Sequence, residues 1–160
     1  MAGEGDSEFL YSVYASTRTE ELAPVPWTLE EKERFLRQQF HAQDHSYRTH
    51  YPGAEFLIIV VDGVDGGRLY VHRRPEEIRI MDVALLPGFR GQGIGTHLLK
   101  ELLHEGQRSS RVVTIHVEAF NPALRLYQRL GFSQVAERGV YLLMEWRPST
   151  RSIAAGLEAI

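Results

Sequence analysis

The stretch from Glu76 to Phe120, EEIRIMDVALLPGFRGQGIGTHLLKELLHEGQRSSRVVTIHVEAF, constrains the fold more than any other part of the chain. Its first part reads as a strand closed by Pro87. A glycine-rich turn follows, then a helix with Ile94, Leu98, Leu99, Leu102 and Leu103 on one side. The last part alternates, with Val113, Ile115 and Val117 on one face and Thr114, His116 and Glu118 on the other. A strand, a helix and a second strand in this order predict a parallel pair joined by a right-handed crossover.

The flanking segments fill in a mixed architecture. Phe9, Leu10, Val13 and Tyr14 recur at helical spacing and predict a short first helix, ending at the loop ELAPVPW with its Pro24 and Pro26. Thr28 with Glu31 forms a capping box for a second helix, whose stripe is Leu29, Leu36, Phe40, Tyr47 and Tyr51 and whose stop is Pro52. AEFLIIVV and GRLYVHRR read as partner strands around the turn DGVDGG. Asn121 and Pro122 open a fourth helix that Gly131 closes, and FSQVAE with GVYLLMEW forms a final pair around Arg138-Gly139. The expected order is αα-βββ-α-β-α-ββ. Residues 1–8 read as a disordered leader, 9–147 as one domain and 148–160 as a tail.

Composition narrows the function. A length of 160 residues suits one domain, and 43% hydrophobic with 24% charged residues is an ordinary globular balance. Lys+Arg 18 against Asp+Glu 21 leaves a net charge of −3, without the broad basic footprint of a nucleic-acid binder. Cys is 0, which excludes disulfides, thiolate metal sites and a cysteine nucleophile. MAGEGDSE is acidic where a signal peptide would be basic, and the longest apolar run, FLIIVV, is too short to cross a bilayer. A soluble, cytoplasmic protein with no membrane or nucleic-acid partner is expected.

The most informative residues are Arg90, Gly91, Gln92, Gly93, Ile94, Gly95 and Thr96. Each glycine inside a helix start costs roughly 1 kcal/mol against alanine. Such a turn either lets the chain pack tightly or lets a ligand approach the main chain. Unpaired N–H groups at a helix N-terminus bind anions, and no carboxylate occurs before Glu101 to compete for them. The spacing is not that of a dinucleotide fingerprint, because Thr96 stands at its last glycine, and no Gly-Lys pair supports an NTPase loop.

RGQGIG resembles the R/Q-x-x-G-x-G/A signature of the GNAT superfamily of N-acetyltransferases, at Arg90, Gly93 and Gly95. NPALRLYQRLGF, Asn121 to Phe132, is similar to that family's second acetyl-CoA-binding segment, and DVALLP resembles its fourth strand. With the element order, the likeness runs from about Phe9 to Trp146. It implies an α/β (α+β) fold with a mixed, mostly antiparallel central sheet, a parallel splayed strand pair and flanking helices. It also implies acetyl-CoA as co-substrate, without a metal. The pantetheine arm would pair with the main chain at Val83 and Leu85. The pyrophosphate would rest on the amides of Arg90, Gly91, Gln92, Gly93, Ile94, Gly95 and Thr96. Asn121 would contact the coenzyme and Tyr127 would face the thioester sulfur.

Acetyl transfer to an amine needs a neutral amine, a polarised carbonyl, alignment and a stabilised thiolate. A thiol pKa near ~8.5 and a tyrosine near ~10 make full proton transfer from Tyr127 uphill by roughly 2 kcal/mol, so a hydrogen bond to the developing thiolate is the expected role. Spacing alone favours Tyr127 as a core residue flanked by Ala123 and Leu130, and it is the family motif that gives it the functional role. For the base, Asp82, His116 and Glu118 are candidates, with Glu76, Glu77, His72 and Tyr141 in reserve, each with an alternative as a solvated strand residue. The resemblance also puts Pro24 to Trp27 beside the acceptor. His41, His45 and His50 read as a solvated helix face, and Arg68, Arg73, Arg74 and Arg79 as charges on hairpin edges.

The leading expectation is an acetyl-CoA-dependent N-acetyltransferase acting on a primary amine of a small molecule or peptide, as a monomer or homodimer. A non-catalytic acyl-CoA-binding sensor or interaction module is the alternative, and a different acyl group a third.

Overall fold

Period-3.6 and period-2 segments alternate along the chain as four helices and six strands in the computed structural model, which describes residues 3–149. They are α1 (Ser7–Leu22), α2 (Leu29–His50), β1 (Glu55–Val61), β2 (Val64–Arg73), β3 (Glu77–Leu85), α3 (Ile94–Ser109), β4 (Val112–Glu118), α4 (Leu124–Arg129), β5 (Ser133–Arg138) and β6 (Tyr141–Trp146). The strands form one mostly antiparallel sheet in the order β1-β2-β3-β4-β6-β5. The expected parallel pair is β3 with β4, in register from Glu77↔Val112 to Ile80↔Ile115. Among the described residues, no helix is long and apolar enough to cross a membrane.

The chain divides into two compact units. The first comprises the residues up to His72 together with Asp82–Gly95. Its centre is aromatic: Phe40 of α2 lies 5.8 Å from the ring of Tyr11 and 5.9 Å from that of Tyr14 on α1, and Phe56 of β1 lies 4.8 Å from Tyr70 of β2. Leu10, Val13 and Val71 are fully buried around them, each contributing about 1.5–3 kcal/mol of transfer free energy. Thr28 caps α2 as expected, its hydroxyl accepting from the Glu31 N–H at 3.1 Å.

Two expectations change here. The leader is not disordered throughout, because a 3-10 turn spans Glu4–Asp6 and α1 begins at Ser7. Glu8 is held there by a forked pair with Arg37 of α2, at 2.6 and 3.1 Å, a geometry that favours order. Leu29, the first residue after the N-cap, is 84% exposed, so the buried stripe of α2 starts at Leu36.

The β1–β2 hairpin turns on Asp62 (φ +51°) and Gly63 (φ +79°) alone, the positive-φ pair that a tight hairpin needs. Strand β2 therefore starts at Val64, before the expected Gly67. Gly66 and Gly67 fall inside it, beside a register shift between Ile59 and Val60. A side chain at Gly67 would bring its Cβ within 2.2 Å of the Ala84 carbonyl oxygen, so β2 needs glycine there to approach β3.

The second unit comprises Arg73–Met81 and the residues from Thr96 on. Leu99, Leu102, Leu103 and Gly106 form the buried face of α3, and Val113, Ile115 and Val117 the expected inner face of β4. A Cβ at Gly106 would meet Trp146 and Val113 at 3.0 Å, which measures how closely α3 lies on β4 and β6. Helix α4 is shorter than expected, starting at Leu124, because Asn121 and Pro122 form a separate turn in which the Asn121 side chain accepts from the Ala123 N–H at 2.8 Å. Gly131 closes α4, with Gly131 N–H bonded to Gln128 O and Phe132 N–H to Tyr127 O. Of the expected tail at 148–160, residues 150–160 lie outside the described residues; Ser149 is bonded to Gln107 of α3 through two 2.8 Å hydrogen bonds.

Candidate active site

Strand β3 ends at Leu85, and a 3-10 turn, Pro87–Phe89, leads into the glycine-rich segment. This lead-in is fixed to the first unit at several points. The Leu86 N–H donates to Gly66 O at 2.8 Å. Arg90 turns back, with Nε donating to Leu85 O at 2.8 Å and Nη2 to the Ser16 hydroxyl of α1 at 3.3 Å. Gln92 Nε2 donates to Gly88 O at 2.9 Å. Both side chains brace the turn.

The segment itself is open. Residues Arg90 to Gly93 are exposed, and Gly91 (φ +74°) and Gly93 (φ +80°) adopt the left-handed conformation that glycine tolerates. A Cβ added at either would meet no atom within 4 Å. Helix α3 begins at Ile94 with no acidic residue in its first turn. Its first N–H groups have no intrahelical acceptor and carry the positive end of the helix dipole. The Arg90 N–H already donates to Pro87 O at 3.3 Å, so the row of available amides starts at Gly91 rather than at Arg90. This arrangement suits an anion with several oxygens. Val83 and Leu85 are half-buried on β3, just before the turn, and Gly95 and Thr96 are half-buried in the first turn of α3.

Asp82 lies on the same strand, but in a different setting from the one expected. It is ion-paired with Arg68 of β2, whose side chain is 2% exposed while that of Asp82 is 21% exposed. Arg68 also donates to Gln43 Oε1 of α2 at 3.1 Å and lies over the Tyr70 ring, 4.8 Å from its centroid. Tyr47 of α2 packs edge-on against Tyr70 at 5.9 Å. Burial first, and then the Asp82 charge, push the Tyr47 phenol far above its usual pKa, so it stays a protonated hydroxyl. One of the Asp82 carboxylate oxygens is thus engaged by a buried guanidinium.

His116 in the second unit is likewise engaged. Its Nδ1 lies 3.2 Å from Arg79 Nη1. Because a guanidinium only donates, Nδ1 must accept, which leaves the proton on Nε2. Burial, then the charges of Arg79 and Arg138, hold His116 below its ordinary pKa and keep it neutral. Its one lone pair is therefore spent on Arg79. Arg79 further donates to Thr114 Oγ1 at 2.7 Å and to Glu77 Oε2 at 3.1 Å, and this cover explains why Thr114, on the polar face of β4, is 3% exposed. Burial alone would raise the Glu77 pKa, but the Thr114 hydroxyl and Arg79 outweigh it and hold it down.

Tyr127 is 6% exposed and meets Phe132 edge-on at 5.8 Å. Asn121 is exposed in the turn ahead of α4. Trp27, in the α1–α2 loop, is 41% exposed against Phe35.

The arginines assigned to hairpin edges prove to be ion-paired in place. Arg73 forms a forked pair with Glu105 of α3 at 2.6 and 3.0 Å, Arg74 pairs with Glu77 at 3.1 Å, and Arg68 is buried. Sequence reasoning read Arg68 as an edge charge and Tyr47 as part of the α2 stripe, passed over Gln43, and did not bring the three together. The available signal was Arg68 flanked by Leu69, Tyr70 and Val71 in one strand, with Gln43 and Tyr47 four apart on a helix.

Residues 13–132 match the Acetyltransferase (GNAT) family. A stretch of 75 residues is 36% identical to the spore coat polysaccharide biosynthesis protein SpsD of Bacillus subtilis (strain 168), covering 46% of this chain and 25% of that protein. The chain thus spans about a quarter of that relative's length. The PaiA N-acetyltransferase of Thermoplasma acidophilum, solved in complex with coenzyme A, superposes with a TM-score of 0.67 at 18% identity over 89% of this chain and 93% of that one. The ribosomal-protein-S18-alanine N-acetyltransferase of Escherichia coli does so with a TM-score of 0.62 at 18% identity, over 92% and 91%. At these identities the superpositions establish the fold, and the family match covers most of the chain. This chain belongs to the GNAT family of acetyltransferases.

Proposed function

We propose that the protein is an acetyl-CoA-dependent N-acetyltransferase that moves an acetyl group directly to a primary amine of a small molecule or peptide. The observation that carries this reading is the open turn at the start of α3. Residues Gly91 to Gly93 are exposed, and Cβ positions at Gly91 and Gly93 face open space. A diphosphate is the group that such a row of donors receives best. On this reading the main chain at Val83 and Leu85 runs beside the pantetheine arm, the Leu85 N–H polarises the thioester carbonyl, and Asn121 contacts the coenzyme. Tyr127 donates a hydrogen bond to the departing thiolate. Arg90 and Gln92 act by bracing the turn.

The engagement of Asp82 with Arg68 and of His116 Nδ1 with Arg79 supports removal of the amine proton by water rather than by a dedicated side chain. The same reading expects a cytoplasmic enzyme without a resident metal, working as a monomer or homodimer. Calorimetric titration with acetyl-CoA, followed by free-thiol release with small amines, polyamines, aminoglycosides and peptide N-termini, tests it. One acetyl-CoA per chain and thiol release that depends on an amine are expected; no binding at millimolar acetyl-CoA refutes it.

A second reading, a module that binds acyl-CoA without turnover, is favoured by one observation: one carboxylate oxygen of Asp82 and Nδ1 of His116 are already bonded within the protein. Binding without thiol release from any amine would establish it.

A further inference from the structure

Arg68 is the most costly residue in the first unit. It sits in β2 with 2% exposure, where a charge is costly to bury unless it is paired. Its Nε is buried with no hydrogen-bond partner. Around it stand Gln43, Tyr14, Tyr47 and Tyr70, so a guanidinium, an amide and three phenol rings occupy what is otherwise core. Departures of this kind from apolar packing concentrate at functional sites. The cluster reaches solvent at Asp82, whose carboxylate keeps 21% exposure while bonded to Arg68. Asp82 immediately precedes Val83, one of the two residues whose main chain is expected to pair with the coenzyme arm.

We propose that Arg68 is a positioning residue that holds the Asp82 carboxylate at the solvent-facing edge of this tyrosine-lined cluster, and that the carboxylate docks the acceptor as a primary ammonium. This rests on the acetyltransferase reading and extends it to how the acceptor is recognised. Asp82 serves binding here, not proton removal, which reconciles its exposure with its ion pair. Because Arg68 already balances Asp82, the pair carries no net charge. Selectivity then follows from the fixed direction of one carboxylate and not from a general negative field, so the site favours a single ammonium over a polycation.

The test uses the full chain, acetyl-CoA, and n-butylamine, 1,4-diaminobutane and alaninamide as probe amines, with thiol release for kinetics and calorimetry for acetyl-CoA affinity. Asp82→Asn and Arg68→Met each leave one partner alone, and Asp82→Asn strands a buried cation that can unfold the protein. The double variant Arg68→Met with Asp82→Leu replaces the pair by apolar groups and restores packing. In the double variant, KM for each accepted amine rises at least about tenfold, the effect of losing one charge-assisted contact, while acetyl-CoA affinity is unchanged and kcat falls less than KM rises. Arg68→Lys recovers part of the amine affinity that Arg68→Met loses. An unchanged amine KM in a folded double variant overturns the proposal, as does a parallel loss of amine and acetyl-CoA affinity. Acetyl-CoA binding with none of the three probe amines accepted also overturns it. Absence of acetyl-CoA binding by the unmodified chain is a different failure, and removes the acetyltransferase reading itself.

Discussion

Replacing Gly93 by alanine separates two effects that meet at the open turn: backbone strain and access for a ligand. At φ +80° an alanine pays roughly 1–2 kcal/mol for the left-handed conformation. The added methyl meets no protein atom within 4 Å, so no further packing cost arises in the free protein. Folding should therefore weaken by about that strain alone. If a diphosphate lies over the turn, the methyl projects toward it and displaces it from at least one amide. Losing a hydrogen bond to a charged group costs about 1.5–3 kcal/mol, which is a roughly 10- to 150-fold weaker acetyl-CoA Kd. Gly88 provides the control, since its Cβ would also face open space but its φ is not in the left-handed region; Gly88→Ala should leave Kd unchanged. Urea denaturation gives the stability of each variant and calorimetry gives the affinity. A Gly93→Ala protein that is destabilised yet binds acetyl-CoA like the unmodified chain refutes the assignment of the turn.

Gly67→Ala places a Cβ 2.2 Å from the Ala84 carbonyl oxygen and should destabilise the fold by about 1–3 kcal/mol or more; an unchanged Tm contradicts the close β2–β3 approach. Tyr127→Phe keeps the buried ring against Phe132, so stability should change by less than about 1.5 kcal/mol, while kcat falls by about 10²-fold if the hydroxyl serves the thiolate. Equal turnover would make Tyr127 a packing residue. His116 has a folded-state pKa below its unfolded value of about 6.5, so the unfolded chain takes up the proton first as pH falls. Its contribution is present above about pH 6.5 and is lost toward lower pH; His116→Gln should flatten the drop in Tm between pH 7 and 5, and an identical drop in both proteins would reject the Arg79–His116 assignment.

The sequence was most legible where a period or a punctuating residue acts locally. The α3 stripe at Leu99, Leu102 and Leu103, the inner face of β4, the Thr28 cap and the Gly131 stop depend on neighbours within a few residues, and all are found in place. The β1–β2 turn was misplaced because DGVDGG offers more than one candidate turn site; Asp62-Gly63 takes the turn, Gly67 serves the approach to Ala84, and Gly66 lies against the Phe89 ring. The paired state of the arginines was not legible, since Arg68 and Asp82 are 14 residues apart and Arg73 and Glu105 are 32 apart. Charge patterns report who carries a charge, but burial is decided by which strands meet. The same limit applies to the base candidates: the contacts of Arg79 with His116 Nδ1 and of Arg68 with one Asp82 oxygen are visible only in the fold.

The most direct measurement is a titration of the uniformly nitrogen-15-labelled chain with coenzyme A, followed by the backbone amide resonances of residues 91–96. Saturable shifts concentrated at Gly91, Gln92, Gly93, Gly95 and Thr96, and suppressed when inorganic pyrophosphate is added as a competitor, are expected. Amides in this turn that stay fixed while coenzyme A binds elsewhere, or while it does not bind at all, would contradict the account.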